Sequence, residues 1–175
     1  MRRKKVETKM PLNIRDARLD DSQALLDIYA PYVETTWVTF ETKVPELQVF
    51  RGRLEHYRFK LGFPYKVAEL DGGIAGYAYA HPFHEREAYR LTAETTVYVK
   101  QDLRRGGIGT KLYQTVLDNL KQSGFHTVIA ILGYPNEASK KFHEKLGFRE
   151  TGCLHEVGYK LGRWLDAGYL EKVLA

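Results

Sequence analysis

The residues with the clearest chemical content lie between Glu94 and Thr110. Arg104-Arg105-Gly106-Gly107-Ile108-Gly109-Thr110 follows a β-branched run and opens a segment of helical periodicity. Glycines let a backbone turn tightly and approach a ligand with no Cβ in the way. The free N–H groups of a first helical turn point outward with the helix dipole behind them, and that arrangement binds anions, phosphates above all. The two arginines add charge. This is not a Walker loop, since no Gly-Lys-Ser/Thr follows, and the glycine spacing is not the dinucleotide fingerprint. A Gly-x-Gly alone favours a plain glycine-rich turn with a solvated basic face, so its context decides.

Glu94 lies in Thr92–Val99, where a carboxylate is out of place unless its face meets solvent or a site. Period-two alternation groups it with Thr96 and Tyr98, opposite Ala93, Thr95, Val97 and Val99. It suits three roles: a general base, a partner for an ammonium ion, or a solvated edge residue. As a base, a carboxylate at its ordinary ~4.3 is weak and needs burial or a bridging water. His143 is a second titratable candidate, able to donate or relay a proton or simply to pack beside Phe142. His81-x-x-His84-Glu85 has metal-binding residue types, but Pro82 breaks helical spacing and no HExxH is present, so no metal is expected.

Positioning these residues requires a series of short elements. Asn13–Leu19 reads as a strand, and Asp20 or Asp21 caps a helix carrying Leu25, Ile28, Tyr29 and Val33, which Pro31 should end or kink. Residues 35–44 read as a loop, and a second helix follows Pro45 with Leu47, Phe50, Leu54 and Tyr57 as its apolar face. Tyr65–Leu70, Asp71-Gly72-Gly73 and Ile74–Ala80 predict a hairpin. His81–Arg90 reads as a connection and Thr92–Val99 as a central strand. A helix then runs to Ser123-Gly124 with Leu112, Val116, Leu117 and Leu120 as its stripe. Thr127–Leu132 is an apolar strand, and Asn136 begins a helix with Ala138, Phe142 and Leu146 on one face that Gly147 ends. Strands near Glu150–Tyr159 and Ala167–Val173 close the chain. This order predicts an α/β (α+β) fold, a mixed sheet with helices on both faces.

The 175 residues fit a single domain, residues 13–175, with residues 1–12 expected as a disordered basic extension. The mean hydropathy is −0.43, and no apolar run approaches the ~18–20 residues of a membrane span. Arg2, Arg3, Lys4 and Lys5 carry four of the five net positive charges, so the remainder is close to neutral and nucleic-acid binding is not expected. The single Cys153 cannot form an intrachain disulfide, which favours a reducing, cytoplasmic setting.

Set in this context, Arg104-x-x-Gly107-x-Gly109 resembles the Q/R-x-x-G-x-G/A signature of the GNAT acetyltransferase superfamily. Thr95–Val99 is similar to that family's fourth strand, and Asn136-Glu137-Ala138 with Phe142–Phe148 to its N-x-x-[AS]…YEKLGF element. Tyr89–Val99, Pro135-Asn136 and Gly158-Tyr159-Lys160-x-Gly162-x-Trp164-x-Asp166 narrow the resemblance to the phosphinothricin and methionine sulfoximine N-acetyltransferase branch.

The resemblance implies a sheet of about seven strands splayed between strands 4 and 5, with acetyl-CoA as co-substrate in the opening. Val97, Tyr98 and Val99 would pair with the pantetheine arm, Arg104 to Thr110 would hold the pyrophosphate, and Asn136 would bond the pantetheine or thiol end. Glu94 would act as general base in a direct transfer to a small amino-acid-like amine, with no acyl-enzyme. His143 stands where many members carry a tyrosine that protonates the departing thiolate. His84, Arg86 and Tyr89 match the segment contacting the acceptor's anionic head, with Phe40, Tyr79 and Trp164 as pocket walls. His84 replaces a lysine common in the herbicide-resistance enzymes. The resemblance also implies a homodimer formed through the C-terminal region. The alternative acceptors are a protein N-terminus, a lysine or another amine.

Overall fold

The computed structural model describes residues 11–103 and 106–174. Seven strands form one sheet: β1 (Asn13–Asp16), β2 (Tyr65–Leu70), β3 (Gly73–Pro82), β4 (Thr92–Val99), β5 (Thr127–Tyr134), β6 (Arg149–Lys160) and β7 (Arg163–Val173). Their spatial order is β1-β2-β3-β4-β5-β7-β6. Every neighbouring pair is antiparallel except β4–β5. The α-helices are α1 (Ser22–Thr35), α2 (Leu47–Leu54), α3 (Ile108–Gln122) and α4 (Glu137–Lys145).

Each sheet face is covered, as the alternating strand patterns require. One core joins Ala78, Ala80, Ala93, Val128 and Leu170 to the stripe of α3, Leu112, Val116, Leu117 and Leu120, with Phe142 of α4 and Leu146, which caps that helix, packed against it. The other joins Leu25, Ile28, Tyr29 and Val33 of α1 and Phe50 and Leu54 of α2 to Tyr65, Val67 and Tyr77. Leu12, just before β1, also packs against the first core.

The β2–β3 hairpin turns through Asp71 and Gly72, with φ of +51° and +81°. Both residues are left-handed, the conformation that matches a two-residue turn to strand twist. Three expectations are corrected. Helix α1 runs through Pro31 to Thr35. A proline removes one backbone hydrogen bond, and here buried residues on both sides, Leu25, Leu26, Ile28 and Tyr29 before it and Tyr32 with Val33 after it, hold the helix together. The strand expected to end at Ala80 continues, because His81 and Pro82 still pair with Glu94 and Ala93. The last two strands are also longer than expected. They form a hairpin turning at Leu161 (φ +51°) and Gly162 (φ +77°), which brings Trp164 and Asp166 into β7.

Candidate active site

The parallel β4–β5 pairing covers only Thr92, Ala93 and Glu94 against Thr127, Val128 and Ile129. Beyond Glu94 the strands part, and β5 keeps its pairing with β7 out to Tyr134. Val97–Val99 of β4, Ile131 and Leu132 of β5, Gly107, Gly109 and Thr110 at the start of α3, and Asn136 and His143 of the α4 region line the resulting cavity of about 280 Å³. The main-chain groups of β4 alternate. Lys100 donates to Ala75 on β3, so Tyr98 and Thr96, in phase with it, also address β3. Val97 and Val99 therefore turn their amides and carbonyls toward the opening. The carbonyl of Val99 is taken by the hydroxyl of Tyr32, at 2.5 Å.

Gly107 caps α3 at φ +75° and, having no side chain, supplies no cap hydrogen bond to the first-turn amides. The first backbone bond closing onto the cap is Lys111 N–H to the Gly107 carbonyl, so the amides of Ile108, Gly109 and Thr110 have no acceptor within the helix. Of the three glycines in the loop, only Gly107 has a positive φ. A Cβ at Gly109 would make ordinary contact with Val99 and Phe142 at 3.5 and 3.7 Å. Open amides, a helix dipole and a glycine cap suit the pyrophosphate of a coenzyme. The side chain of Ile108 is in the core, and Gly106 is exposed. Arg104 and Arg105 lie outside the described residues.

Glu94 is the last β4 residue paired to β5, with its side chain 22% exposed. Its cross-strand neighbour is His81, whose Nε2 lies 3.7 Å from Glu94 Oε1. Burial raises the pKa of Glu94, and His81 and His84 pull it back only in part. On the His81 side is an open hollow lined by His56, Tyr57, His81, His84, Arg86 and Tyr89, among others. Glu94 thus stands between two spaces, since its chain neighbours Thr95 and Thr96 line the coenzyme cavity.

His143 is 3% exposed. Its Nδ1 donates to the Ser139 carbonyl at 2.8 Å, which leaves Nε2 of the neutral ring to accept from the Tyr113 hydroxyl at 3.1 Å. That hydroxyl also meets Thr95 Oγ1 at 2.5 Å. Burial lowers the His143 pKa, the Ser139 carbonyl opposing it. The imidazole is therefore a neutral, bonded part of the cavity wall. Tyr113 and Thr95, both fully or nearly buried, complete the chain to β4. Sequence reasoning missed these two and Tyr32. The one available signal was a tyrosine in the buried stripe of α3, where its hydroxyl needs a partner.

Of the expected acceptor residues, His84, Arg86 and Tyr89 come together in the hollow. Tyr79 supports it by stacking on Tyr57. Phe40 and Trp164 are placed elsewhere. The Phe40 ring packs so closely on Gly158 that a Cβ there would lie 2.5 Å from it. Trp164 is 58% exposed and meets Tyr159 edge-on at 5.2 Å. The segment around Trp164 makes other contacts. Gly158 leaves room for Phe40, Lys160 Nζ donates to the Thr39 carbonyl at 2.8 Å, and Asp166 Oδ1 accepts from Glu156 N–H at a bulge where Glu156 has φ +53°. These contacts hold loop 36–41, whose Val38 lines the coenzyme cavity and whose Trp37 donates to the Pro135 carbonyl beside α4.

Residues 14–168 match the acetyltransferase (GNAT) domain family. The chain is 40% identical over 162 residues to the phosphinothricin N-acetyltransferase of Streptomyces viridochromogenes, covering 93% of this chain and 87% of that one. It is 35% identical over 164 residues to the L-methionine sulfoximine/L-methionine sulfone acetyltransferase of Pseudomonas aeruginosa, covering 93% and 94%. Among solved structures, the phosphinothricin acetyltransferase of Sinorhizobium meliloti in complex with acetyl-CoA superposes with a TM-score of 0.91 at 32% identity, over 95% of this chain and 90% of that one. A sheet forked after Glu94, a glycine-capped helix at the fork's open end and these relationships agree: the chain is an acyltransferase belonging to the GNAT acetyltransferase family.

Proposed function

We propose that this enzyme transfers the acetyl group of acetyl-CoA directly to the amino group of a small amino-acid-like acceptor of the phosphinothricin, methionine sulfoximine or methionine sulfone type. The observation that carries the reading is the position of Glu94 at the vertex of the fork, between the coenzyme cavity and the polar hollow. The α3 amides and Gly107 hold the pyrophosphate, the main-chain groups of Val97 and Val99 align the pantetheine arm, and Asn136 orients its thiol end. Asn136 already uses Oδ1 to accept from Ser139 N–H, so its amide NH₂ is the group that faces the ligand.

The acceptor enters from the hollow, its anionic head met by Arg86 and His84 and its ammonium by Glu94. Glu94 takes the proton that frees the nitrogen lone pair, nitrogen attacks the acetyl carbon, the C–S bond breaks with its electron pair on sulfur, and the second proton lost from nitrogen goes to that thiolate, leaving the amide and the coenzyme thiol. Tyr113 and His143 support the wall beside the departing thiolate. Cys153 lies on β6 and is not among the cavity residues, in keeping with transfer without an acyl-enzyme.

A homodimer in the cytoplasm completes the proposal. Edge strand β6 and its hairpin expose Leu154, Val157, Tyr159, Leu161 and Trp164, an apolar strip suited to a second copy. No helix among the described residues is long and apolar enough to cross a membrane. The test is thiol release from acetyl-CoA with phosphinothricin, methionine sulfoximine, methionine sulfone, ordinary amino acids and a lysine peptide. Turnover on the first three supports the reading; turnover confined to the peptide replaces it with a protein acceptor.

A further inference from the structure

We propose that His81 is the proton partner of Glu94, so that the proton taken from the acceptor passes through Glu94 to His81 and out to the hollow. The proposal rests on Glu94 as general base, but the geometry behind it is independent of any substrate. His81 and Glu94 are direct cross-strand neighbours. His81 Nδ1 lies 3.0 Å from the Pro82 carbonyl, which can only accept, so Nδ1 carries a hydrogen. The neutral ring then presents the bare lone pair of Nε2 to Glu94 Oε1, 3.7 Å away. Two acceptors facing one another at ion-pair distance repel, and a proton on Nε2 turns the contact into an attractive ion pair.

The ring is held in this orientation. It stacks on Tyr57 at 5.2 Å and leans on Tyr79 at 5.9 Å. Its remaining surroundings are the hollow, where the titratable and charged groups are His56, Tyr57, His84, Glu85, Arg86 and Tyr89. His84 also acts on Glu94, in the same direction as His81. In the transfer, the acceptor's ammonium N–H bond breaks with its electron pair left on nitrogen. The proton goes to the Glu94 carboxylate, then to His81 Nε2, and from there to water in the hollow. Nδ1 keeps its own hydrogen, donated to the Pro82 carbonyl, throughout. His81 acts through Glu94 and is a positioning residue.

His81→Phe keeps the stack on Tyr57 and Tyr79 and removes the ring nitrogens. The Glu94 carboxyl is titrated by carbon-13 NMR in the full chain, without acetyl-CoA or acceptor. Loss of a cation 3.7 Å away, at near-aqueous screening, raises its midpoint by about one pH unit, or about tenfold less carboxylate at a given pH below it. The acidic limb of kcat/KM moves up by the same amount. A midpoint that stays or falls overturns the proposal. In the wild-type chain, which needs no variant to fold, nitrogen-15 spectra should show Nδ1 of His81 protonated at every pH; a bare Nδ1 overturns it too. If Glu94→Gln retains full turnover while the His81→Phe midpoint shifts, the pairing stands and the general-base reading fails.

Discussion

Glu94→Gln preserves side-chain size while removing both charge and basicity. An acceptor amine with a pKa of ~8 is only about one-tenth neutral at pH 7, and only that fraction can attack a thioester. Losing a positioned base should lower kcat/KM by roughly 10²–10⁴-fold at pH 7, about 2.7–5.5 kcal/mol of barrier. Burial fixes the direction of the wild-type profile. It holds the Glu94 pKa above the ordinary carboxylate value, with His81 and His84 opposing it, so the acidic limb of kcat/KM lies above the usual carboxylate range. In the variant that limb disappears and the rate follows the ionisation of the amine. The neutral fraction rises about tenfold between pH 7 and 9, and the defect should shrink by the same factor. The assay is thiol release at saturating acetyl-CoA across this range. Wild-type turnover in the variant refutes the base. So does a defect equally large at pH 7 and pH 9, which would make Glu94 an anchor for the ammonium ion.

Gly107→Ala forces an alanine to φ +75° with no Cβ contact within 4 Å, so its cost is conformational, about 1–2 kcal/mol. It should raise the KM for acetyl-CoA several-fold and leave that for the acceptor unchanged; steady-state kinetics in both substrates check this. His143 favours the neutral form in the fold because burial lowers its pKa from 6.5. The unfolded chain therefore takes up the proton first, and stability falls as pH drops from about 6.5 through the folded-state value. Urea midpoints between pH 7.5 and 5 should show that slope, and His143→Gln should flatten it. Arg15→Ala removes a two-point pairing with the largely buried Asp21, at 2.8 and 2.9 Å, and should cost about 2 kcal/mol in chemical denaturation.

The parts of the fold legible in the sequence are those set by local chemistry. Asp71-Gly72 specifies its hairpin because both turn residues must adopt positive φ. The α3 stripe specifies which side of that helix is buried, and Leu112, Val116, Leu117 and Leu120 are all buried. Where tertiary contacts outweigh a local preference, the same reasoning fails. Pro31 remains inside α1 because Leu25, Ile28, Tyr32 and Val33 are buried around it. The Leu161-Gly162 turn escapes notice because leucine at φ +51° carries no turn signal of its own. Trp164, in the Gly158-to-Asp166 segment, looks like a pocket wall by residue type. The segment's contacts show a brace for loop 36–41, a role that depends on a strand and a loop more than a hundred residues apart in the chain.

The candidate site divides along the same line. Alternation alone put Glu94 on the face away from Thr95, and the two sides prove chemically distinct: Thr95 joins the buried Tyr113–His143 chain, while Glu94 meets His81, which lines the hollow. Alternation could not reveal that pairing to β5 stops at Glu94, because strand separation is set by the partners of β5, here β7. Nor could it reveal the state of His143. A histidine beside Phe142 reads as a possible acid until both ring nitrogens are seen to be bonded within the wall. With Nδ1 donating and burial disfavouring a second proton, His143 cannot hold a spare proton for the thiolate without breaking its bond from Tyr113. Any proton reaching sulfur from this side must leave the Tyr113 hydroxyl or come from the nitrogen itself. In the proposed mechanism this leaves the acid–base chemistry to the face that carries Glu94.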